Sequence, residues 1–321
     1  MTGCRSKLNY SLFIPLYNAK KYLNNDFIAL LGLIDSAQTS EVVFIDSSSQ
    51  DESVLILNKN HLKNISLIDS NAFDHGGTRS LAKELCGGDI IVYLTQDALP
   101  LSVEAIERLL AVFDNESIGA AYGRQLPYQA TNFFGKHLRE FNYPDKSYVR
   151  SLLDRDEFGI KTAFLSNSFA AYRRSAMDKI GWFKDGLILG EDTYAGAKLL
   201  QAGYKLAYVA DAQVYHSHSY TVWEEFKRYF DIGVFHQMES WILDEFGKPE
   251  GEGMRYIKSE LNYLLRRKAY HLMPEFFVRN AMKFLGYKLG KHYTKLPRSW
   301  IKKFSMHHRW WDKYWLQEKL T

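Results

Sequence analysis

"DIIVYLTQDALP" (residues 89–100) sets an unbroken apolar run, Ile90 to Leu94, against an abrupt polar stop at Thr95-Gln96-Asp97. A short run without alternation reads as a strand buried on both faces. Asp97 therefore stands where a central strand leaves the sheet, and burying a lone charge there for structure alone is costly. Capping the next helix does not account for it, because Ser102 is the nearer cap. Outward from this strand, residues 10–14, 41–45, 65–68 and 120–123 read as further strands. Between them residues 23–36, 51–60, 78–86 and 102–113 carry apolar positions near helical spacing. The order β-α-β-α-β predicts an α/β fold with a mostly parallel central sheet covered by helices. In such sheets ligands sit outside the carboxyl ends of the strands, where this chain places Pro15-Leu16-Tyr17-Asn18, Asp46 to Asp51, the 69–77 segment and Gln96-Asp97.

The pattern loosens over residues 132–156. Then "TAFLSNSFAAYRRSAMDKIGWF" (162–183) suggests a strand, a loop and a helix, and "GEDTYAGAKLLQAG" (190–203) an amphipathic helix opening on two acids. "YKLAYVADAQVYHSHS" (204–219) reads as one or two strands, and past Tyr220 the chain is helical and aromatic to its end. The expected organisation is a catalytic domain over residues 1–220 and a helical, basic, aromatic-rich extension over 221–321.

With 321 residues, 46% hydrophobic and 24% charged, the chain has ample material for a folded core. Its two cysteines, Cys4 and Cys86, do not suggest a structural disulfide, which fits a reducing compartment. No stretch reaches the roughly 18 apolar residues of a membrane span, and the N-terminus lacks a signal-peptide pattern. The expectation is a cytoplasmic protein, peripheral on the inner face of the cell membrane. The net charge of +4 hides an asymmetry: from residue 255 onward sixteen Lys/Arg face four Asp/Glu, a net +12, leaving −8 on the first 254 residues. Basic residues interleaved with Trp, Tyr and Phe suit the interface of an anionic bilayer. The same composition serves helices that pack on the body or join two copies of the chain.

Five groups of residues carry chemistry. Asp46 ends a strand ahead of a Ser-rich turn and favours a ligand role, whereas Asp51 or Ser49 can simply cap the following helix. "DHGGTRSLAKE" (74–84) opens a helix with Gly76-Gly77 and places Arg79 one turn in. That arrangement accepts phosphate through backbone N–H groups but equally makes an ordinary turn. Asp97 is suited to a divalent cation, Mg²⁺ or Mn²⁺, bridging a diphosphate. Glu191 and Asp192 are favoured by the helix dipole alone, yet the site otherwise lacks a general base and Asp192 supplies one. His216 and His218 alternate at the end of the last strand and should point to opposite faces, with His216 the choice for a metal ligand.

Together "LFIPLYNA", "VVFIDSSSQDES", "HGGTRSLA", "YLTQDALP", "GEDTYAGAKLLQAGY" and "AQVYHSH" resemble the family 2 inverting glycosyltransferases of the GT-A fold, over about residues 8–220. "DSSS", "HGGTR" and "TQDALP" look most like bacterial rhamnosyltransferases that build O-antigen and related surface polysaccharides. The resemblance implies that Pro15, Tyr17 and Asn18 line the nucleotide pocket, and that Asp46 binds the base. It places Gly76 and Arg79 by the ribose and diphosphate, and Gln96 beside Asp97 in the nucleotide-sugar site. Asp97 and His216 become metal ligands, Asp192 of the Glu191-Asp192 catalytic pair the base, and Arg124 and Asn167 border the donor or acceptor sugar. The chain departs from the family at Thr95-Gln96-Asp97, where many members carry Asp-x-Asp, so the first of the two acids is gone.

The implied activity is transfer of a sugar, rhamnose from a dTDP-sugar, onto a glycan or lipid-linked oligosaccharide with inversion; UDP- or GDP-linked donors are the nearest alternatives. A nucleotidyltransferase would need a glycine- and lysine-rich loop after strand one, which "IPLYNAKKY" does not supply. A nucleic-acid binder fits the tail composition but not the acid-rich strand ends, so no nucleic-acid partner is expected. Association of like chains is left open.

Overall fold

The structure, a computed structural model, describes residues 9–248 and 250–318, so Cys4 lies outside the described residues. Nine strands form one sheet: β1 (Tyr10–Leu16), β2 (Ser40–Asp46), β3 (Ile65–Leu67), β4 (Ile90–Leu94), β5 (Leu99–Pro100), β6 (Ile118–Leu126), β7 (Tyr148–Arg150), β8 (Phe169–Arg173) and β9 (Lys205–Tyr215). Their order is β3-β2-β1-β4-β8-β6-β9-β5, with β7 also paired to β9. Strands β1 to β4 run parallel, as do β6 and β9. Inserted between these blocks, β8 runs antiparallel to both β4 and β6. The expected α/β architecture with a mostly parallel sheet is therefore present, with β8 reversed at the centre and the short strands β5 and β7 antiparallel to β9.

The helices of the first 220 residues are α1 (Asn25–Asp35), α2 (Ser53–Lys59), α3 (His75–Ser80), α4 (Ala82–Leu85), α5 (Val103–Leu110), α6 (Phe133–Asn142), α7 (Arg155–Phe158), α8 (Arg174–Ile180) and α9 (Glu191–Gln201). Beyond them lie α10 (Val222–Met238), α11 (Ser240–Phe246), α12 (Glu250–Arg266), α13 (Met273–Lys291), α14 (Arg298–Phe304) and α15 (His308–Glu318). Local signals set their starts. Asn24 Oδ1 accepts from Phe27 N at 2.9 Å ahead of α1, a cap contributing about 1 kcal/mol, and Thr221 with Glu224 forms a capping box on α10.

Every residue of β4 is buried, and the pleat divides them between two cores. Ile90, Val92 and Leu94 join Leu12, Ile14 and residues of α1 and α5 on one face. Ile91 and Tyr93 join Phe13 on the other. That second core also contains Phe230, Val234 and Phe235 of α10, Ile242 of α11, Ile301 of α14 and Trp311 of α15. The helices past residue 220 thus share a core with the sheet rather than hanging from it.

Candidate active site

Three parallel strands, β1, β2 and β4, deliver their carboxyl ends side by side, and the loops that follow are cross-tied. Ser49 Oγ accepts from Asn18 N at 2.8 Å, Asn18 Oδ1 accepts from Gln50 N at 2.8 Å, and Ser53 Oγ accepts from Ala19 N at 2.7 Å. Asn18 and Ser48 adopt positive φ, 49° and 61°, a conformation uncommon outside glycine that concentrates at functional sites. Buried Asp46 has both carboxylate oxygens engaged by Ser49, from its N–H at 2.8 Å and its hydroxyl. Asp51 accepts from Ser53 N and Lys20 N, each at 3.0 Å, so it fastens loops instead of capping α2.

Gln96, the residue before Asp97, is committed to the backbone that follows β1. Its Oε1 accepts from Tyr17 N at 2.8 Å and its Nε2 donates to Tyr17 O at 3.1 Å. One amide thereby pairs with both backbone groups of Tyr17, as a neighbouring strand would. A carboxylate could accept the first of these bonds but not donate the second.

Asp97 meets two histidines. Its Oδ2 lies 3.4 Å from His216 Nε2 and 3.7 Å from His218 Nε2, and one ligand atom from each residue falls within 4.8 Å of the others. The expected divergence of the two histidines does not occur, because β9 ends at Tyr215 and strand alternation ends with it; the rings stand 4.9 Å apart, edge to face. Sequence periodicity misses His218 for that reason, and no motif marks Gln125 or Arg139. Arg139, which can only donate, bonds Gln125 Oε1. The same oxygen lies 2.9 Å from His216 Nδ1, so that nitrogen carries the proton and Nε2 presents its lone pair toward Asp97.

Burial pushes the Asp97 carboxyl up, but the two imidazoles packed against it outweigh this and hold it well below the usual range. Burial lowers His216 and, with His216 beside it, brings His218 down to about 4. One carboxylate and two neutral imidazoles make a donor set that fits a divalent cation.

The second acidic centre sits at the start of α9, where Gly190 takes the left-handed conformation, φ 81°. Glu191 is buried, with Oε1 3.2 Å from Arg79 NH1 and 3.1 Å from Asn167 Nδ2. Burial raises this carboxyl, and the Arg79 charge more than offsets it, so Glu191 stays below its ordinary value. Asp192 accepts from Thr193 N at 2.7 Å and from Asn167 N at 3.3 Å. It has no cation of its own, and burial together with the Glu191 charge raises it to about 7. Two adjacent carboxylates are thus driven apart, Glu191 downward by its cation and Asp192 upward toward neutrality.

Several expected contacts have other partners. Gly76 packs so closely that a Cβ would lie 1.9 Å from Lys184 O, and the start of α3 is already occupied by Asp74, which accepts from Gly77 N at 2.7 Å and Gly186 N at 3.1 Å. Arg79 faces Glu191 and donates to His75 O at 2.9 Å. Asn167 is a buried clamp whose Oδ1 accepts from Tyr172 OH at 2.7 Å. Arg124 lies at a register shift of β6 with its Nε buried and unpaired. Tyr17 is exposed just past β1, and Pro15 pairs with Ile45 near the end of that strand.

A sheet with β8 reversed between two parallel blocks, followed by a helical C-terminal region, is the architecture of the GT-A fold. The profile of the family described as glycosyl transferase family 2 matches residues 11–181. The chain is 45% identical over 308 residues to the O-antigen chain rhamnosyltransferase RfbN of Salmonella typhimurium, spanning 95% of this chain and 96% of that one. It is 42% identical over 305 residues to the O-antigen chain rhamnosyltransferase WbaN of Salmonella anatum, with 95% and 96% covered. The chain belongs to glycosyl transferase family 2. Among solved structures it is similar in fold to the mannosyltransferase PcManGT from Pyrobaculum calidifontis in complex with GDP-Man and Mn²⁺, at TM-score 0.60 and 12% identity over 91% of this chain and 89% of that one. It is likewise similar to S. aureus TarS 1-349 in complex with UDP-GlcNAc, at TM-score 0.53 and 16% identity over 90% and 92%.

Proposed function

We propose that this enzyme transfers rhamnose from a dTDP-sugar to a glycan or lipid-linked acceptor with inversion, in surface polysaccharide biosynthesis. The observation that carries the reading is identity above 40% to two O-antigen chain rhamnosyltransferases along nearly the whole chain. Within it, Asp192 is the general base that takes the acceptor hydroxyl proton as that oxygen attacks the anomeric carbon. Glu191, held ionised by Arg79, keeps Asp192 basic enough for the task. Pro15, Tyr17, Asn18 and the Asp46 turn line the nucleotide. Asp97, His216 and His218 hold a divalent cation, which when bound supplies charge to the departing diphosphate. Two imidazoles favour Mn²⁺ over Mg²⁺, the harder ion that prefers oxygen ligands. A donor panel of dTDP-, UDP- and GDP-sugars, followed by release of the nucleoside diphosphate, tests the assignment. Preference for a uridine or guanosine donor would overturn the rhamnosyl reading.

The base must be ionised to work, and its pKa lies near 7. The expected pH profile of kcat/KM therefore rises with unit slope up to about pH 7 and levels above it. Glu191→Gln removes the like charge, so the same limb should move to lower pH. A limb that stays in place would show that Glu191 does not tune the base.

No helix among the described residues is long and apolar enough to cross a membrane. Helix α13, however, exposes Phe277 (63%), Val278, Phe284 (62%) and Leu285, which share one face by their spacing. It closes on Lys288 and Lys291 within the basic part of the chain. This combination supports docking on an anionic bilayer, where a lipid-linked acceptor resides. Wild-type protein should co-sediment with phosphatidylglycerol vesicles, and the F277E/F284E variant should not. Equal behaviour of the two would remove the membrane role.

A further inference from the structure

A groove of about 800 Å³ runs from the ends of β1 and β2 to the C-terminal helix. It is lined by Tyr17 and Ser47 beyond β1 and β2, by Phe73 and His75 around the start of α3, and by His307, Arg309 and Trp310 around the start of α15. The C-terminal side is fixed in place by bonds to loops of the catalytic part and to α10. Trp310 Nε1 donates to Gly186 O at 3.1 Å, Lys313 Nζ donates to Phe73 O at 3.0 Å, and Met306 N donates to Asp231 Oδ2 at 2.8 Å. His75 and His307 meet edge to face, 5.5 Å between ring centres.

The charges in the groove can be followed one by one. Asp74 is occupied by Gly77 N and Gly186 N, and Asp312 is paired with Lys302 at 2.6 Å. Burial lowers His75 and takes His307 down to about 3, so both rings are neutral near pH 7 and offer a donor and an acceptor each. Lys313 is tied to a backbone carbonyl. Arg309 is exposed and makes no ion pair among the described residues. The groove therefore offers aromatic and apolar walls, neutral hydrogen-bonding imidazoles and an uncommitted guanidinium, beginning at the strand ends where ligands of such sheets bind. A flat base joined to a diphosphate has the matching chemistry.

We propose that α15 is a wall of the nucleotide subsite, with Arg309 meeting the anionic nucleotide and Trp310 with His307 enclosing it. This rests on the reading of the enzyme as a nucleotide-sugar transferase. It makes the end of the chain part of the donor site, and it explains why residues 306–316 are moored to the loops at 73 and 186.

The test uses the full chain and dTDP as probe, with Mn²⁺ present, in equilibrium titration. Arg309→Ala truncates an exposed side chain, and circular dichroism with thermal unfolding should match wild type. The expected result is dTDP binding weakened about tenfold, the scale of one charge-assisted contact. Hydrogen exchange of backbone amides over residues 306–316 should slow when wild type is saturated with dTDP. If Arg309→Ala binds dTDP within twofold of wild type and exchange over 306–316 is unchanged, the wall assignment is wrong while the transferase reading stands. The wall assignment fails equally if the variant alters only the KM of the acceptor. If wild type itself binds neither dTDP nor other nucleoside diphosphates, both readings fall.

Discussion

Asp192→Asn is expected to lower kcat by about 10²- to 10⁴-fold, the usual range for removing a general base, while leaving dTDP affinity within twofold. The separation of these two effects follows from the geometry. Asp192 accepts its shorter bond, 2.7 Å, from Thr193 N, and an asparagine carbonyl keeps it. The amide nitrogen then faces Asn167 N, where the contact is only 3.3 Å, so the structural loss is about 1 kcal/mol, one weak hydrogen bond. What disappears is the proton acceptor. The variant should also lose the rise of kcat/KM through about pH 7, because the titrating group is gone. Single-turnover measurement of nucleoside diphosphate release with saturating acceptor isolates the chemical step. Retention of most of the wild-type rate would place the base elsewhere. Asn167→Ala offers a comparison of another kind, since it removes the side-chain bond to Glu191 but leaves both acids in place. It should lower activity less than Asp192→Asn and shift the pH limb as well as its height.

How much of this is legible in the sequence depends on the range of the interaction involved. Strands β1, β2 and β4 announce themselves because each is buried on both faces and reads as an apolar run. The direction of β8 is not readable, since "FAAYR" has the same pattern whether it runs with or against its neighbours. Asp97 and Asp192 stand out by position, at a strand end and a helix start. Their partners do not. Arg79 reaches Glu191 across more than a hundred residues of chain, and a glycine-flanked arginine at a helix start looks in sequence like a phosphate contact. Gln125 and Arg139 carry no motif at all, and only the fold brings one carboxamide between an arginine and His216. His218 escapes any reading that extends strand periodicity past the last residue of β9, Tyr215. In the helices past residue 220 the conspicuous signal is charge, and charge conceals that Trp311 and Phe230 lie in the main core.

The cluster at Asp97 yields the other large effect. Asp97→Ala removes the only anion of the Asp-His-His set identified among the described residues, and Mn²⁺ binding with it. Activity should fall at least 100-fold, in line with loss of a metal ion that neutralises a leaving diphosphate. The histidine variants grade this expectation. His216 is buried and oriented by Gln125, so its Nε2 is preorganised, and His216→Ala should approach the Asp97 result. His218 is more exposed, lies farther from the carboxylate at 3.7 Å, and should cost less. Gln125→Leu keeps the imidazole but removes the acceptor that fixes its tautomer. Loss of such an orienting partner weakens metal affinity about 10- to 100-fold, so Mn²⁺ should rescue this variant at raised concentration and fail to rescue Asp97→Ala. Electron paramagnetic resonance of bound Mn²⁺ reads occupancy directly, apart from turnover. If Asp97→Ala bound Mn²⁺ as wild type does, the Asp-His-His cluster would be a structural ion pair and the cation would be held elsewhere.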